Sequence, residues 1–247
     1  MRFVLGLLLV VFGAGTVHAE IAWEVARTLP HDREAFTQGL FIDGDFIYES
    51  TGQVGQSELR VMRLEDAELV RRQPMRADVF GEGSTLWDDR IISITWQDGT
   101  AFVWQREDLT QVGSFSYAGE GWGLTQDGAS LIMSDGTPEL RFLDPETFEE
   151  QRRVTVTWEG QPVRFLNELE YVDGAVYANI WFSPMIAKID PATGVIDGWI
   201  NLSALMSGPA DHASEGVLNG IAWDPAAELL YVTGKNWSKM YALRLIE

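Results

Sequence analysis

Apolar and polar residues alternate in short runs along most of the chain, and no long segment carries the 3.6-residue periodicity of a helix. Three stretches make the pattern plain. "LFIDGDFIYES" from Leu40, "LTQDGASLIMSDG" from Leu124 and "LEYVDGAVYANIW" from Leu169 each read as strand, Asp-Gly turn, strand. Tight hairpin turns need residues that tolerate positive φ, so the Asp-Gly pairs predict β-hairpins.

The hairpins recur. "FTQGLFIDGDFIYES" from Phe36, "FGEGSTLWDDRIISITW" from Phe80, "GEGWGLTQDGASLIMSDG" from Gly119, "FLNELEYVDGAVYANIW" from Phe165 and "VLNGIAWDPAAELLYVTGKNW" from Val217 stack on one another. The anchors Gly39, Gly83, Gly123, Glu168 and Gly220 are 44, 40, 45 and 52 residues apart. A repeat of about 40–50 residues with several strands in each is the signature of a β-propeller. A second strand pair follows each of the first four hairpins, in "ELRVMRLEDAELVRRQPM", "AFVWQREDLTQVGSFS", "ELRFLDPETFEEQRRVTV" and "MIAKIDPATGVIDGWINL". Asp144-Pro145 and Asp190-Pro191 mark turns within two of these. The fifth repeat has room for only one strand after its hairpin, in "SKMYALRLIE", and "AWEVARTLP" (Ala22–Pro30) is available to supply the fourth. The expected fold is therefore all-β: a five-bladed propeller with four antiparallel strands per blade, closed by the N-terminal strand joining the C-terminal blade. A β-sandwich would not produce five matched repeats.

The start of the chain departs from this pattern. Arg2, an apolar run from Phe3 to Gly15 and the small-x-small sequence Val17-His18-Ala19 read as a signal peptide, residues 1–19, ahead of a single domain over residues 20–247. The expectation is an exported protein, periplasmic or secreted after cleavage near Ala19, with no membrane association in the mature form. The chain contains no Cys, which excludes a disulfide scaffold, a thiol nucleophile and thiolate metal ligands. Of three His, only His31 and His212 lie beyond the leader, so neither a zinc site nor any cofactor is expected. The net charge of −19 disfavours nucleic acid and anionic membranes as partners. A closed propeller needs no partner subunit, and a monomer is expected.

In a propeller the first strand of each blade lines the central channel, and equivalent positions form a ring at one mouth. The residues before the five anchors are Gln38, Glu82, Trp122, Asn167 and Asn219. This ring holds three amides, one indole and a single carboxylate. The second strands return to the same mouth and bring Trp96, Trp181 and Lys235 toward Glu82. An aromatic-walled pocket with one acid, one amine and several amides is the default site.

The segments "AFTQGL", "EGWGLT", "LNELEY", "ANIW", "LNGIAWD" and "VTGKNW", in this order and spacing, resemble the plant- and bacterial-type glutaminyl cyclases over nearly the whole mature chain. The resemblance implies a five-bladed propeller that converts N-terminal glutaminyl residues of peptides or proteins into pyroglutamate and releases ammonia. It implies Glu82 as acid/base, with Trp96, Trp122 and Trp181 as pocket walls. It places Phe36, Gln38, Asn167 and Lys235 on the substrate. Two positions depart from the family pattern: Arg33 stands where the family has Pro after His-Asp, and Ser84 where it has an aliphatic residue after Gly-Glu-Gly.

The implied reaction is intramolecular attack of the α-amine on the side-chain carboxamide. A cage that holds the folded-back conformer catalyses by orientation. Glu82 would serve as base and then acid, and Lys235 and Asn167 would stabilise the oxyanion, with Gln38 and Asn219 as further donors. Metal independence is expected. Two other readings stand beside this one. The first is a non-enzymatic periplasmic or secreted propeller that binds peptides or envelope proteins. The second is a propeller acting on sugars, with Glu49, Asp135 or Glu168 as the second carboxylate.

Overall fold

The computed structural model describes residues 19–206 and 216–246. Most of the proposed signal peptide, residues 1–18, and His212 lie outside the described residues. The strands form five four-stranded antiparallel blades around a channel. The first four are built from residues 37–74, 81–116, 124–155 and 166–201. The fifth joins Leu218–Asp224, Leu229–Gly234 and Lys239–Ile246 to Ala22–Pro30, which pairs antiparallel along the outer strand from Ala22↔Ile246 to Pro30↔Lys239. The N-terminal strand thus completes the C-terminal blade, as the strand count predicts.

The turn chemistry explains the hairpins. Asp173 and Gly174 both have positive φ between paired residues Val172 and Ala175, the combination an Asp-Gly hairpin turn favours. Asp144 and Asp190 cap their turns by accepting backbone N–H groups, from Glu146 and Thr147 in one and from Ala192 in the other.

Each pair of neighbouring blades encloses its own apolar layer. Phe41 and Trp104 share the cluster between the first and second blades, and Leu143 and Ile94 the one between the second and third. Phe142 and Ile189, Ile200 and Trp237, and Tyr231 and Leu40 belong to the clusters of the remaining three seams. The core is a ring of five interfaces, and this fixes the blades around the axis.

Close to the axis the inner strands touch backbone to backbone. A Cβ on Gly83 would lie 2.5 Å from Leu124 N, and one on Gly123 would lie 2.1 Å from Asn167 O. Only hydrogen fits at these anchors. In the fourth blade the anchor is Glu168, whose carboxylate accepts N–H groups from Leu40 at 3.1 Å and Ile221 at 2.7 Å. It ties the fourth blade to the first and fifth across the channel.

Two elements lie outside the repeat pattern. Ala19–Glu20 adds a short parallel strand to the outer edge of the fourth blade, and Thr157–Trp158 pairs with Gln161–Pro162 in the link between the third and fourth. Among the described residues there is no α-helix.

Candidate active site

Ring residues face the mouth because the inner strands are broken there. In four blades the pairing with the second strand slips, between Thr37 and Gly39, Gly81 and Ser84, Leu166 and Leu169, and Leu218 and Ile221. The slips contain Gln38, Glu82, Asn167 and Asn219. A bulge re-aims side chains that regular alternation would send elsewhere. In the third blade the regular strand starts only at Leu124, and Trp122 is held by its N–H to Ser134 O at 2.9 Å.

These residues open onto a cavity of about 300 Å³ lined by Phe36, Gln38, Phe80, Glu82, Trp96, Trp122, Asn167, Trp181, Phe182, Val217 and Lys235. The Trp122 and Trp181 rings stand edge-to-face at 5.3 Å, and Phe80 bridges Phe36 and Trp96. Glu82 is the only carboxylate among these lining residues.

Polar groups behind the wall fix its orientation. Asn219 Nδ2 donates to Gln38 Oε1 at 3.1 Å and to Thr37 O at 2.9 Å. Gln38 Oε1 is therefore occupied, and its Nε2 donates to Glu82 Oε1 at 2.8 Å. One carboxylate oxygen of Glu82 is anchored, and Oε2 has no hydrogen-bond partner among the described residues, which leaves it for a ligand. The Asn167 amide makes no side-chain hydrogen bond within the described residues, and its Oδ1 is fully buried and unpartnered. Lys235, 6% exposed, places Nζ 4.8 Å above the Phe36 ring, a cation–π contact, and forms no ion pair within 4 Å among the described residues. Unsatisfied buried polar groups are costly, so a set converging on one cavity marks a place where a ligand completes the bonding.

Burial pushes the Glu82 carboxyl well above its ordinary range; Lys235 pulls it down and Glu120 pushes it up, and burial wins. Burial likewise lowers the Lys235 ammonium pKa, with Glu82 opposing. An acid pushed up and an amine pushed down at one cavity are shifted toward each other, the pattern that acid/base chemistry uses.

The sequence matches the glutamine cyclotransferase family over residues 8–245. The chain belongs to that family. It is 42% identical over 226 residues to the glutaminyl-peptide cyclotransferase of Arabidopsis thaliana, covering 90% of this chain and 71% of the relative. The crystal structure of Myxococcus xanthus glutaminyl cyclase superposes with a TM-score of 0.86 at 37% identity, over 92% of this chain and 99% of that one. The Swd1 (Cps50) β-propeller domain of Myceliophteria thermophila shares the fold alone, with a TM-score of 0.53 at 9% identity over 91% and 100% of the two chains.

The structure brings together eight of the nine sequence-predicted site residues: Phe36, Gln38, Glu82, Trp96, Trp122, Asn167, Trp181 and Lys235 all line the cavity. Asn219 does not; it sits buried behind Gln38 and sets that amide's orientation. The sequence reading omitted Phe80, Phe182 and Val217. Each directly precedes or follows a motif residue, so proximity to a motif was the available signal. Glu49, Asp135 and Glu168 stay out of the cavity. Glu49 pairs with His31, Asp135 accepts from Thr137 within a turn, and Glu168 holds strand backbones together. Of the two departures from the family pattern, Arg33 contributes its carbonyl to Asn236 Nδ2 at 2.8 Å. Ser84 is buried, with Oγ lacking a hydrogen-bond partner among the described residues.

Proposed function

We propose that this protein is a metal-independent glutaminyl-peptide cyclotransferase in which Glu82 is the general acid/base. One observation carries the reading. A free carboxylate oxygen, an unpaired ammonium and an unpaired amide converge on one aromatic-walled cavity in a chain whose family and close structural neighbour are glutaminyl cyclases.

The substrate's N-terminal Gln folds back between Trp96, Trp122 and Trp181, bringing its α-nitrogen to its own side-chain carbonyl carbon. The walls hold this conformer and exclude water, which supplies the orientation part of the rate. Glu82 Oε2 takes a proton from the attacking amine as the new C–N bond forms. The carbonyl oxygen becomes an oxyanion stabilised by Lys235 Nζ and the Asn167 amide. Glu82 then delivers the proton to the leaving nitrogen, the old C–N bond breaks and ammonia departs. One proton moves from amine to ammonia through one carboxylate, a role worth about 10²–10⁴-fold. The raised Glu82 pKa makes it a stronger base in the first step and leaves it able to donate in the second.

The donor set supports the metal-free part of the proposal. One carboxylate, one ammonium and amides make a poor site for a divalent ion, and among the described residues no three His, Asp or Glu gather as ligands. We also propose that the protein acts as a monomer, on peptides or proteins beginning with Gln, after export and cleavage near Ala19. The sugar-cleaving alternative lacks a second carboxylate in the cavity. The test is incubation of the mature protein with a Gln-initiated peptide, with and without a chelator. The expected result is loss of one ammonia mass from the peptide, unaffected by chelation. Binding without turnover would favour the peptide-binding propeller, and loss of activity restored by zinc would overturn metal independence.

A further inference from the structure

Glu120 lies in the link between the second and third blades, outside the cavity lining, and no step above uses it. Its Oε2 accepts Trp96 Nε1 at 2.8 Å and Trp122 Nε1 at 3.0 Å, while Oε1 accepts Gln97 Nε2 at 3.0 Å. One oxygen therefore joins two of the three Trp walls, one wall from each side of a blade seam. Each indole has a single N–H donor, so each is rotationally fixed by this bond.

The link that carries Glu120 is itself tightly held. Gly121 N donates to Trp96 O at 3.0 Å, and a Cβ on Gly121 would lie 2.5 Å from the Tyr117 hydroxyl and 3.1 Å from Thr95 O. The Tyr117 hydroxyl accepts Thr95 N–H at 3.1 Å and donates to Thr95 O. Trp122 is braced from behind, since a Cβ on Gly136 would lie 2.7 Å from its ring. Trp96 is the more open of the two walls. It is 38% exposed and touches Phe80 at 5.7 Å. The carboxylate of Glu120 supplies what packing does not.

We propose that Glu120 is a positioning residue whose carboxylate clamps the indoles of Trp96 and Trp122 and so sets the width of the substrate pocket across the seam between the second and third blades. This deepens the cyclotransferase reading and rests on it for its catalytic consequence, though the clamp itself does not. Both acceptor directions of Oε2 are taken by the two indoles and one of Oε1 by Gln97, so three of the four directions of the carboxylate already serve the wall, as a clamp requires. Because Glu120 keeps its charge close to the cavity mouth, it also acts on Glu82. The charged and titratable groups facing Glu82 are Lys235 from the fifth blade and Glu120 and Tyr117 from the link, with the Gln38 amide bonded to it from the first. Lys235 favours the Glu82 carboxylate, and Glu120 opposes it.

The test uses the full chain, its Glu120→Ala and Glu120→Gln variants, steady-state cyclisation of a Gln-peptide across pH, and acrylamide quenching of Trp fluorescence. Glu120 is partly buried in the link and lies outside the apolar seams, so both variants should fold, which the melting temperature checks. In Glu120→Ala the two indoles lose their common acceptor. Quenching should rise, and kcat/KM should fall by about 10–100-fold, the scale of a wall displaced by up to 1 Å. Glu120→Gln keeps a carbonyl acceptor and removes the charge. It should recover most of the rate at the optimum while its acid limb of kcat/KM moves to lower pH, because a like charge beside Glu82 is gone. Wild-type quenching in Glu120→Ala overturns the clamp, and so does a higher KM with unchanged quenching, the mark of a direct substrate ligand. An unmoved acid limb in Glu120→Gln overturns the electrostatic coupling. Quenching needs no turnover. If the wild-type protein failed to cyclise Gln-peptides, the functional reading would fall while the clamp would still be decided.

Discussion

Replacing His31 by Ala should destabilise the propeller by an amount that depends on pH. The His31 and Glu49 side chains are 1% and 0% exposed, and Nε2 lies 2.9 Å from Oε1. His31 Nδ1 lies 2.8 Å from Trp237 O, a carbonyl that can only accept. With a carboxylate on one side and a carbonyl on the other, both ring nitrogens must donate, and the ring is an imidazolium. Burial alone would lower the His31 pKa, but the charge and hydrogen bond of Glu49 and the Trp237 carbonyl outweigh it, and the net shift is upward. Burial likewise pushes Glu49 up, yet His31, Arg60 and Thr37 bring it below its ordinary value. Removing one partner of a buried pair costs about 3–5 kcal/mol. Arg60 Nη1 at 3.7 Å and Thr37 Oγ1 at 2.7 Å still face Glu49, which argues for the lower end. About 3 kcal/mol corresponds to a loss of about 6–12 °C in melting temperature for a domain of this size. The sign with pH follows from linkage. His31, raised in the folded state, contributes stability that is full below its ordinary value of 6.5 and is lost as pH rises through the folded value. Glu49, lowered, contributes stability that is lost as pH falls below its ordinary 4.5. Urea unfolding of wild type and His31→Ala from pH 5 to pH 9.5 should therefore show a gap that is widest near pH 5.5 and narrows above neutrality. A gap that is constant over this range would refute the imidazolium assignment.

Three further outcomes follow from the same geometry. Gly123→Ala forces a Cβ to within 2.1 Å of the Asn167 carbonyl oxygen, a backbone atom that cannot rotate away. Overpacking of this kind costs about 1–3 kcal/mol, and because it displaces Asn167 it should also lower kcat, which urea unfolding and steady-state kinetics would show together. Ser84→Ala removes a buried hydroxyl with no partner among the described residues and should leave stability unchanged or raise it by about 1 kcal/mol, read as melting temperature. Lys235→Met keeps an apolar stem over Phe36 and deletes the charge. It should lower kcat by about 10²–10³-fold and move the acid limb of kcat/KM upward, the opposite direction to Glu120→Gln, because Lys235 is the charge that favours the Glu82 carboxylate.

The repeat frame was legible because each level of the sequence agreed with the next. Asp-Gly turns set the hairpins, hairpin spacing gave the blade count, and the strand missing from the last repeat pointed to Ala22–Pro30. Ring residues were legible for a related reason: equivalent positions in equivalent blades must face the same mouth. What the alignment could not supply was depth. Asn219 and Gln38 occupy equivalent positions, yet Asn219 lies behind Gln38 because the fifth blade's bulge turns its amide toward Thr37 O. Glu120 escaped notice because its role depends on two indole N–H groups 24 residues and two residues away in the chain meeting at one oxygen. His31 and Glu49 sit on different elements, and no periodicity links a loop histidine to a strand glutamate. Spacing alone marks the anchor glycines as repeat positions; the 2.1–2.5 Å distances at Gly123 and Gly83 give the reason that no side chain fits there.

The most direct test of the central claim is the cyclisation rate of Glu82→Gln on a Gln-initiated peptide, measured on protein whose melting temperature matches wild type. Gln is isosteric and can still meet the Gln38 amide through its carbonyl oxygen, so the fold and pocket should persist. It can neither take the amine proton nor return it to the leaving nitrogen. Turnover should fall by about 10²–10⁴-fold with peptide binding largely retained. Cyclisation by Glu82→Gln at the wild-type rate would contradict the account.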